Sequence, residues 1–85
     1  MTHTRTWTVD VFLYESDAEV TAEAVLHADV PEPITGRGTA RLGAAAVPEI
    51  GAELATSRAL SALGHRLLEL TAQDLAALPR RPVAS

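Results

Sequence analysis

The chain has 85 residues, a net charge of −4 and no cysteine. This length predicts one domain, and the missing thiols exclude disulfides, thiolate nucleophiles and cysteine-bound metals. No apolar run reaches the roughly 20 residues that cross a bilayer, and the alternating N-terminus lacks a signal peptide's apolar core. We predict a cytoplasmic protein that does not bind membranes, with a single domain over residues 1–79 and a mobile tail over residues 80–85.

Two alternating segments predict a β-hairpin. Thr6–Tyr14 alternates apolar and polar side chains with the period of a strand, and Val20–Ala28 alternates again. The polar residues Glu15–Glu19 between them suit a turn, although the alanines and glutamates of the second segment also allow a helix. Trp7 or Phe12 could stack on bases, but a tryptophan that begins such a strand is more often a core residue.

The next segment combines prolines, glycines and arginines. Its two prolines make Asp29–Gly36 a loop or an irregular edge. Arg37–Gly43 is predicted as a short third strand, in which Gly38 marks a bulge or a close backbone approach. Glycines in front of a helix can bind phosphates, but Arg41 stands where a dinucleotide fingerprint needs its third glycine, and a P-loop needs lysine, which is absent. We therefore expect no nucleotide cofactor.

Arg37 and Arg41 lie four residues apart on this third strand and so share a face. Their guanidinium groups could bind phosphates or a carboxylate. The alternative is a solvated sheet face on which Glu23 or Asp10 of the neighbouring strands balances the arginines.

The strongest element is a helix over Pro48–Leu70. Pro48 suits a first helical position, because its missing N–H is not needed there. Thr71–Asp74 resembles a capping box, which predicts that one helix stops and a second, Ala72–Leu78, begins. The predicted fold is α+β: a three-stranded antiparallel β-meander packed on one long helix (β-β-β-α), plus a short C-terminal helix.

The helix is apolar over more than half of its circumference, which one small sheet cannot cover. An exposed apolar patch of this kind usually marks a partner surface. We expect a homodimer in which Ile50, Leu54 and Leu68 contact the second copy. The alternative is that the short C-terminal helix folds back and covers the patch.

The sequence offers no catalytic, cofactor or metal constellation. Its three histidines lie on separate elements without zinc-ligand spacing. Glu49 and Glu53 share a helical face, but the helix dipole already explains acidic residues near a helix start. Ser57 and Ser61 have no nucleophile elbow. We predict that the protein is not an enzyme.

Three stretches together carry a family resemblance: WTVDVFLYE, GRGTARL and, most specifically, VPEIGAELATSRALSAL over Val47–Leu63. The chain resembles a small actinobacterial family of unknown function, whose mycobacterial relatives are associated with dormancy and low oxygen. The resemblance implies a β-β-β-α fold grouped with double-stranded-RNA-binding-like architectures. It also implies a dimer that has been likened to ribosome hibernation factors, and it brings no catalytic residues.

This sequence departs from the family pattern before its helix. Residues 43–46 are small where the family has a polar connection, and Ala52 stands where an acidic residue is expected. A true double-stranded-RNA-binding domain grips phosphates with lysines at the start of its last helix. Here Glu49 and Glu53 would repel phosphate, so the fold analogy does not transfer RNA binding.

These observations predict a non-enzymatic, dimeric cytoplasmic stress or dormancy protein. If it acts on the ribosome or RNA, Arg37, Arg41 and Arg58 are the expected contacts, and no DNA partner is expected. The alternative is a protein–protein interaction module that does not bind nucleic acid.

Overall fold

The computed structural model describes residues 2–43 and 47–79. The elements run β1 (Thr8–Glu15), β2 (Glu19–His27), β3 (Ile34–Arg41) and α1 (Pro48–Ala77). The strands form one antiparallel sheet in the order β1-β2-β3, and α1 packs on one face of it. The predicted α+β arrangement of three antiparallel strands and a long helix is confirmed.

A serine organises the β1–β2 turn. The Oγ of Ser16 accepts the N–H of Glu19 at 3.1 Å and that of Ala18 at 3.4 Å. The Ser16 N–H donates to the carbonyl of Glu19 at 2.9 Å, which closes the turn. Serine side chains stabilise turns through local bonds of this kind, so the polar linker fixes the register of the hairpin.

The third strand begins earlier than the sequence predicted. Pro33 lies just outside β3, whose first residue, Ile34, already pairs with Leu26 of β2. The prediction that the loop extends through Gly36 is therefore wrong. Since β3 is an edge strand, a proline directly before it removes no bond from the ladder between the strands.

Two glycines let α1 lie directly on β3. A Cβ atom on Gly36 would stand 2.5 Å from the carbonyl oxygen of Ala59, and one on Gly38 would stand 2.5 Å from that of Ala55. Real side chains do not tolerate such contacts with backbone, so only glycine fits at either position. The prediction of a close backbone approach at Gly38 is confirmed, and the partner backbone is that of the helix.

The buried core consists mostly of small side chains. Its members come from β2, β3 and α1: Val20, Ala22, Ala24, Leu26, Ala40, Ala55, Ala59 and Leu63. Alanines dominate, and Val20 is the largest side chain that is less than 2% exposed. Small residues permit the close approach of helix and sheet, but each buries little apolar area, so hydrophobic stabilisation of one chain by this core is modest.

Strand β1 lies almost entirely outside this core, contrary to the expectation of a buried tryptophan. Every residue of β1 is exposed, and Trp7, directly before it, is 48% exposed. A helix about 10 Å wide covers about two strands spaced 4.8 Å apart, and α1 packs mainly on β3 and β2. Close packing of α1 on the glycines of β3 places the helix on the side of the sheet away from β1.

The helix is continuous from Pro48 to Ala77, so the prediction of a separate helix over Ala72–Leu78 is wrong. The hydroxyl of Thr71 donates to the carbonyl of Leu67 at 2.9 Å. A threonine that bonds the preceding turn lies within a helix rather than capping a new one. The predicted tail, residues 80–85, lies outside the described residues.

Candidate functional site

The outward face of α1 is a continuous uncharged surface, which we call the outer stripe. It consists of Ile50, Leu54, Ser57, Ser61, Gly64, Leu68, Thr71 and Leu75, all exposed. The three residues predicted to form a dimer interface lie on it, with Ile50 60%, Leu54 42% and Leu68 67% exposed. Since the buried residues of α1 face β3 and β2, nothing within the described part of the chain covers these three side chains.

The outer stripe repeats with a regular period along the helix. Its members are separated alternately by four and three residues. This mean spacing of 3.5 residues is the one at which a row of side chains stays in contact with a partner along a helix. The leucines lie near its ends and small residues lie in the middle. A search of the sequence for a 3.5-residue repeat without charges would have identified the whole stripe.

Gly64 is the least expected member of the outer stripe. Glycine within a helix costs about 1 kcal/mol relative to alanine. No other described part of the chain comes within 4 Å of the position of an added Cβ. Packing inside one chain therefore does not account for this glycine, unlike Gly36 and Gly38.

A second apolar surface lies beside the helix on the sheet. Val9, Val11 and Leu13 pair with core residues of β2 and share their face, yet they are 39%, 39% and 45% exposed. Leu60 of α1 is 45% exposed. It lies on the side of the helix opposite Arg58, whose guanidinium donates to the backbone carbonyl of Thr39 in β3. The bare strand and the flank of α1 that carries Leu60 and Glu53 thus border the same space.

The three arginines predicted to contact RNA have different surroundings. Arg37 lies 3.5 Å from the carboxylate of Glu23, the cross-strand balance that the sequence allowed. Arg58 donates to the backbone carbonyl of Thr39 at 2.7 Å and covers the β3 edge. Arg41, at the end of β3, makes no salt bridge with any residue in the described part of the chain.

The outer face of the sheet, away from α1, carries charges of both signs. Arg37 and Arg41 share it with Glu19 and Glu23, while the Asp10 carboxylate lies 3.0 Å from Nε2 of His27. The aromatic rings of Phe12 and Tyr14, on the same face, are 47% and 55% exposed. This face is accessible and mixed in charge, rather than a basic groove.

A cleft of about 650 Å³ lies between Trp7, the β2–β3 connection and the second half of α1. Arg66, on its border, is paired with Glu69 at 3.2 Å. Over residues 2–43 and 47–79, no group of acidic or histidine side chains is arranged to hold a metal ion. The same residues include no buried polar or charged side chain, and no helix among them combines the length and apolar character of a membrane span.

Comparison with known proteins places this architecture among mycobacterial relatives. A family model described as Rv2632c-like matches residues 5–84. The uncharacterized protein Mb1767 of Mycobacterium bovis is 42% identical over 78 residues, covering 89% of this chain and 82% of that protein. The uncharacterized protein Rv2632c of Mycobacterium tuberculosis is 40% identical over 81 residues, covering 93% and 86%. The crystal structure of Rv2632c superimposes with a TM-score of 0.85 at 37% identity, covering 95% of this chain and 98% of that one.

Proposed function

The chain belongs to the Rv2632c-like family, and from this premise we propose that it is a non-enzymatic protein-interaction module that works in the cytoplasm as a homodimer. The observation that supports this most strongly is the outer stripe. Exposed leucines and small uncharged residues in a 3.5-residue repeat run along a 30-residue helix. An exposed uncharged surface with large apolar side chains of this kind usually marks a partner site.

The small core supports the same proposal. A helix of 30 residues buries only Gly51, Ala55, Ala59 and Leu63 against its own sheet. Helical segments in water draw most of their stability from packing an apolar face. A partner on the outer stripe would supply the packing that the sheet does not.

The temperature of unfolding tests self-association. A protein stabilised by binding its own copy unfolds at a higher temperature as its concentration rises, because mass action favours the folded dimer. We expect the Tm to rise by several degrees between low and high micromolar concentrations, followed by circular dichroism. A Tm independent of concentration over this range would count against the homodimer.

Action on the ribosome or RNA under stress or dormancy is the second candidate function. The exposed rings of Phe12 and Tyr14 favour it, because unpaired bases stack on aromatic side chains of open sheets. So does the exposed Arg41, whose guanidinium makes no salt bridge within the described part of the chain. The acidic residues on the same sheet face and the protein's net charge of −4 oppose it. We therefore rank it below a partner protein.

Cosedimentation with ribosomes separates the two candidates. An RNA mechanism requires binding that weakens with salt and is lost in the double variant Arg37→Glu/Arg41→Glu. We expect no salt-sensitive binding of the unmodified protein. A matched variant, Arg66→Glu, carries one of the same changes on α1, away from the sheet face. Loss of binding with Arg37→Glu/Arg41→Glu but not with Arg66→Glu would establish the RNA mechanism.

A further inference from the structure

The two uncovered apolar surfaces, β1 and the outer stripe, are separate on one chain but fit each other on two. We infer that in the homodimer each α1 outer stripe docks on the partner's bare β1, so that the two helices lie side by side between two sheets. This inference rests on the homodimer proposed above and adds which surfaces meet.

The first support is the free space beside α1. Since α1 covers two of the three strands, the bare strip over β1 is one strand wide, about 5 Å, so a partner helix about 10 Å wide would cover β1 and extend past the edge of the sheet. A partner helix placed there would contact Val9, Val11 and Leu13 below it and the flank of α1 that carries Leu60. A second helix would thus cover the one strand of the sheet that α1 leaves uncovered.

The second support is a match in side-chain size at equal heights along the molecule. Leu13 lies, across β2, at the level of Gly38. Gly38 packs against the α1 turn of Ala55–Ala59. The exposed residue of the outer stripe on this turn is Ser57. A bulky β1 residue and a small outer-stripe residue therefore stand at the same height.

The same match recurs one turn further along. Val11 lies at the level of Gly36, which packs against Ala59–Leu63, the turn whose outer-stripe residue is Ser61. A two-fold axis parallel to α1 keeps heights equal, so it brings each bulky β1 side chain onto a small residue of the partner's stripe. Gly64, which nothing in one chain explains, then continues the row of small residues.

Area and charge also favour a second copy. A standard interface covers about 800 Å² per partner, roughly a tenth of a small protein's surface, and this chain exposes 6994 Å². The contact between one copy's outer stripe and the other copy's β1 occurs twice in the dimer, which provides an extended interface. Neither the outer stripe nor the residues Val9, Val11 and Leu13 include a charge, so these two surfaces can meet without a charge between them, while Glu53 lies beside Leu60 on the flank of α1.

Cysteine cross-linking tests this docking, because the native chain has no cysteine. Val11→Cys and Ser61→Cys are prepared as separate chains of the full protein and oxidised alone or after refolding together. We expect a disulfide-linked dimer only in the mixture, since the two thiols meet across the interface and neither meets its own copy. Thr35→Cys, on the outer sheet face, replaces Val11→Cys as the matched control and should give no cross-link with Ser61→Cys.

Three outcomes would overturn the docking. Cross-linking of Ser61→Cys with itself would mean that stripe packs on stripe, and cross-linking of Val11→Cys with itself would mean that the β1 edges pair. In both cases the homodimer stands and the docking fails. A mixture that stays uncross-linked while light scattering gives a dimer also rejects it, whereas a monomer by light scattering rejects the homodimer itself.

Discussion

Replacing either glycine of β3 with alanine is expected to destabilise the protein severely. The added Cβ of Gly36→Ala or Gly38→Ala would meet helix backbone at 2.5 Å or less, which no side-chain rotation relieves. Overpacking of this kind costs about 1–3 kcal/mol, and we expect the upper part of that range. Against a total stability of about 5–15 kcal/mol, urea unfolding followed by circular dichroism will detect the loss.

Gly43→Ala is the matched control for these variants. Apart from Gly43 and its chain neighbours, no atom in the described part of the chain lies within 4 Å of an added Cβ, and the φ of Gly43 is not positive. Such a change stabilises slightly, by about 0.4–1 kcal/mol, because it restricts the unfolded chain. If Gly36→Ala and Gly43→Ala had equal stability, α1 would not lie on β3 as described.

A carboxylate on the outer stripe is expected to dissociate the homodimer. Leu54→Glu and Leu68→Glu each place a charge on a surface that carries none. An interface that buries an unpaired charge loses several kcal/mol, and every 1.4 kcal/mol is a factor of ten. We therefore expect dimer affinity to fall by at least about a hundredfold, measured from the mass as a function of concentration.

The folded chain should survive these substitutions, because both leucines are exposed in one copy. His65→Glu is the matched control, since it introduces the same carboxylate at an exposed helical position beside the stripe. We expect it to leave the dimer intact. If Leu54→Glu, like His65→Glu, kept the dimer mass of the unmodified protein, the interface would lie elsewhere.

Local patterns predicted most elements of this fold. The alternation in the first two strands and the long apolar helix after Pro48 are properties of neighbouring residues, and the structure has them. The end of the helix was mispredicted because the side chain of Thr71 can cap a new helix or bond the preceding turn, and the sequence does not distinguish these.

The exposure of β1 could not be predicted, since it depends on where the helix lies across the sheet. An alternating strand with Val9 and Val11 on one face looks the same whether a helix covers it or not. The position of α1 is set by backbone contact at Gly36 and Gly38, on a different strand. These glycines lie within β3 against the helix backbone, and their effect on β1 is a property of the assembled fold.

Three residues are predicted as interface residues for a related reason. Ile50, Leu54 and Leu68 stand out on a helical wheel because one sheet cannot cover them. Ser57 and Ser61 lie on the same low-polarity face of the helix, and the 3.5-residue spacing extends that face to Gly64, Thr71 and Leu75. Whether Arg41 contacts a partner depends on the surface that the assembled fold presents, and neighbouring residues in the sequence do not determine it.

The most direct test of the homodimer is the mass of the unmodified full chain in solution, measured by light scattering across a concentration series. One chain has a mass of 9.0 kDa. We expect a mass of twice this value at high micromolar concentration, which falls toward that of one chain on dilution. A mass of 9.0 kDa at high micromolar concentration would contradict the proposal that the outer stripe binds a second copy.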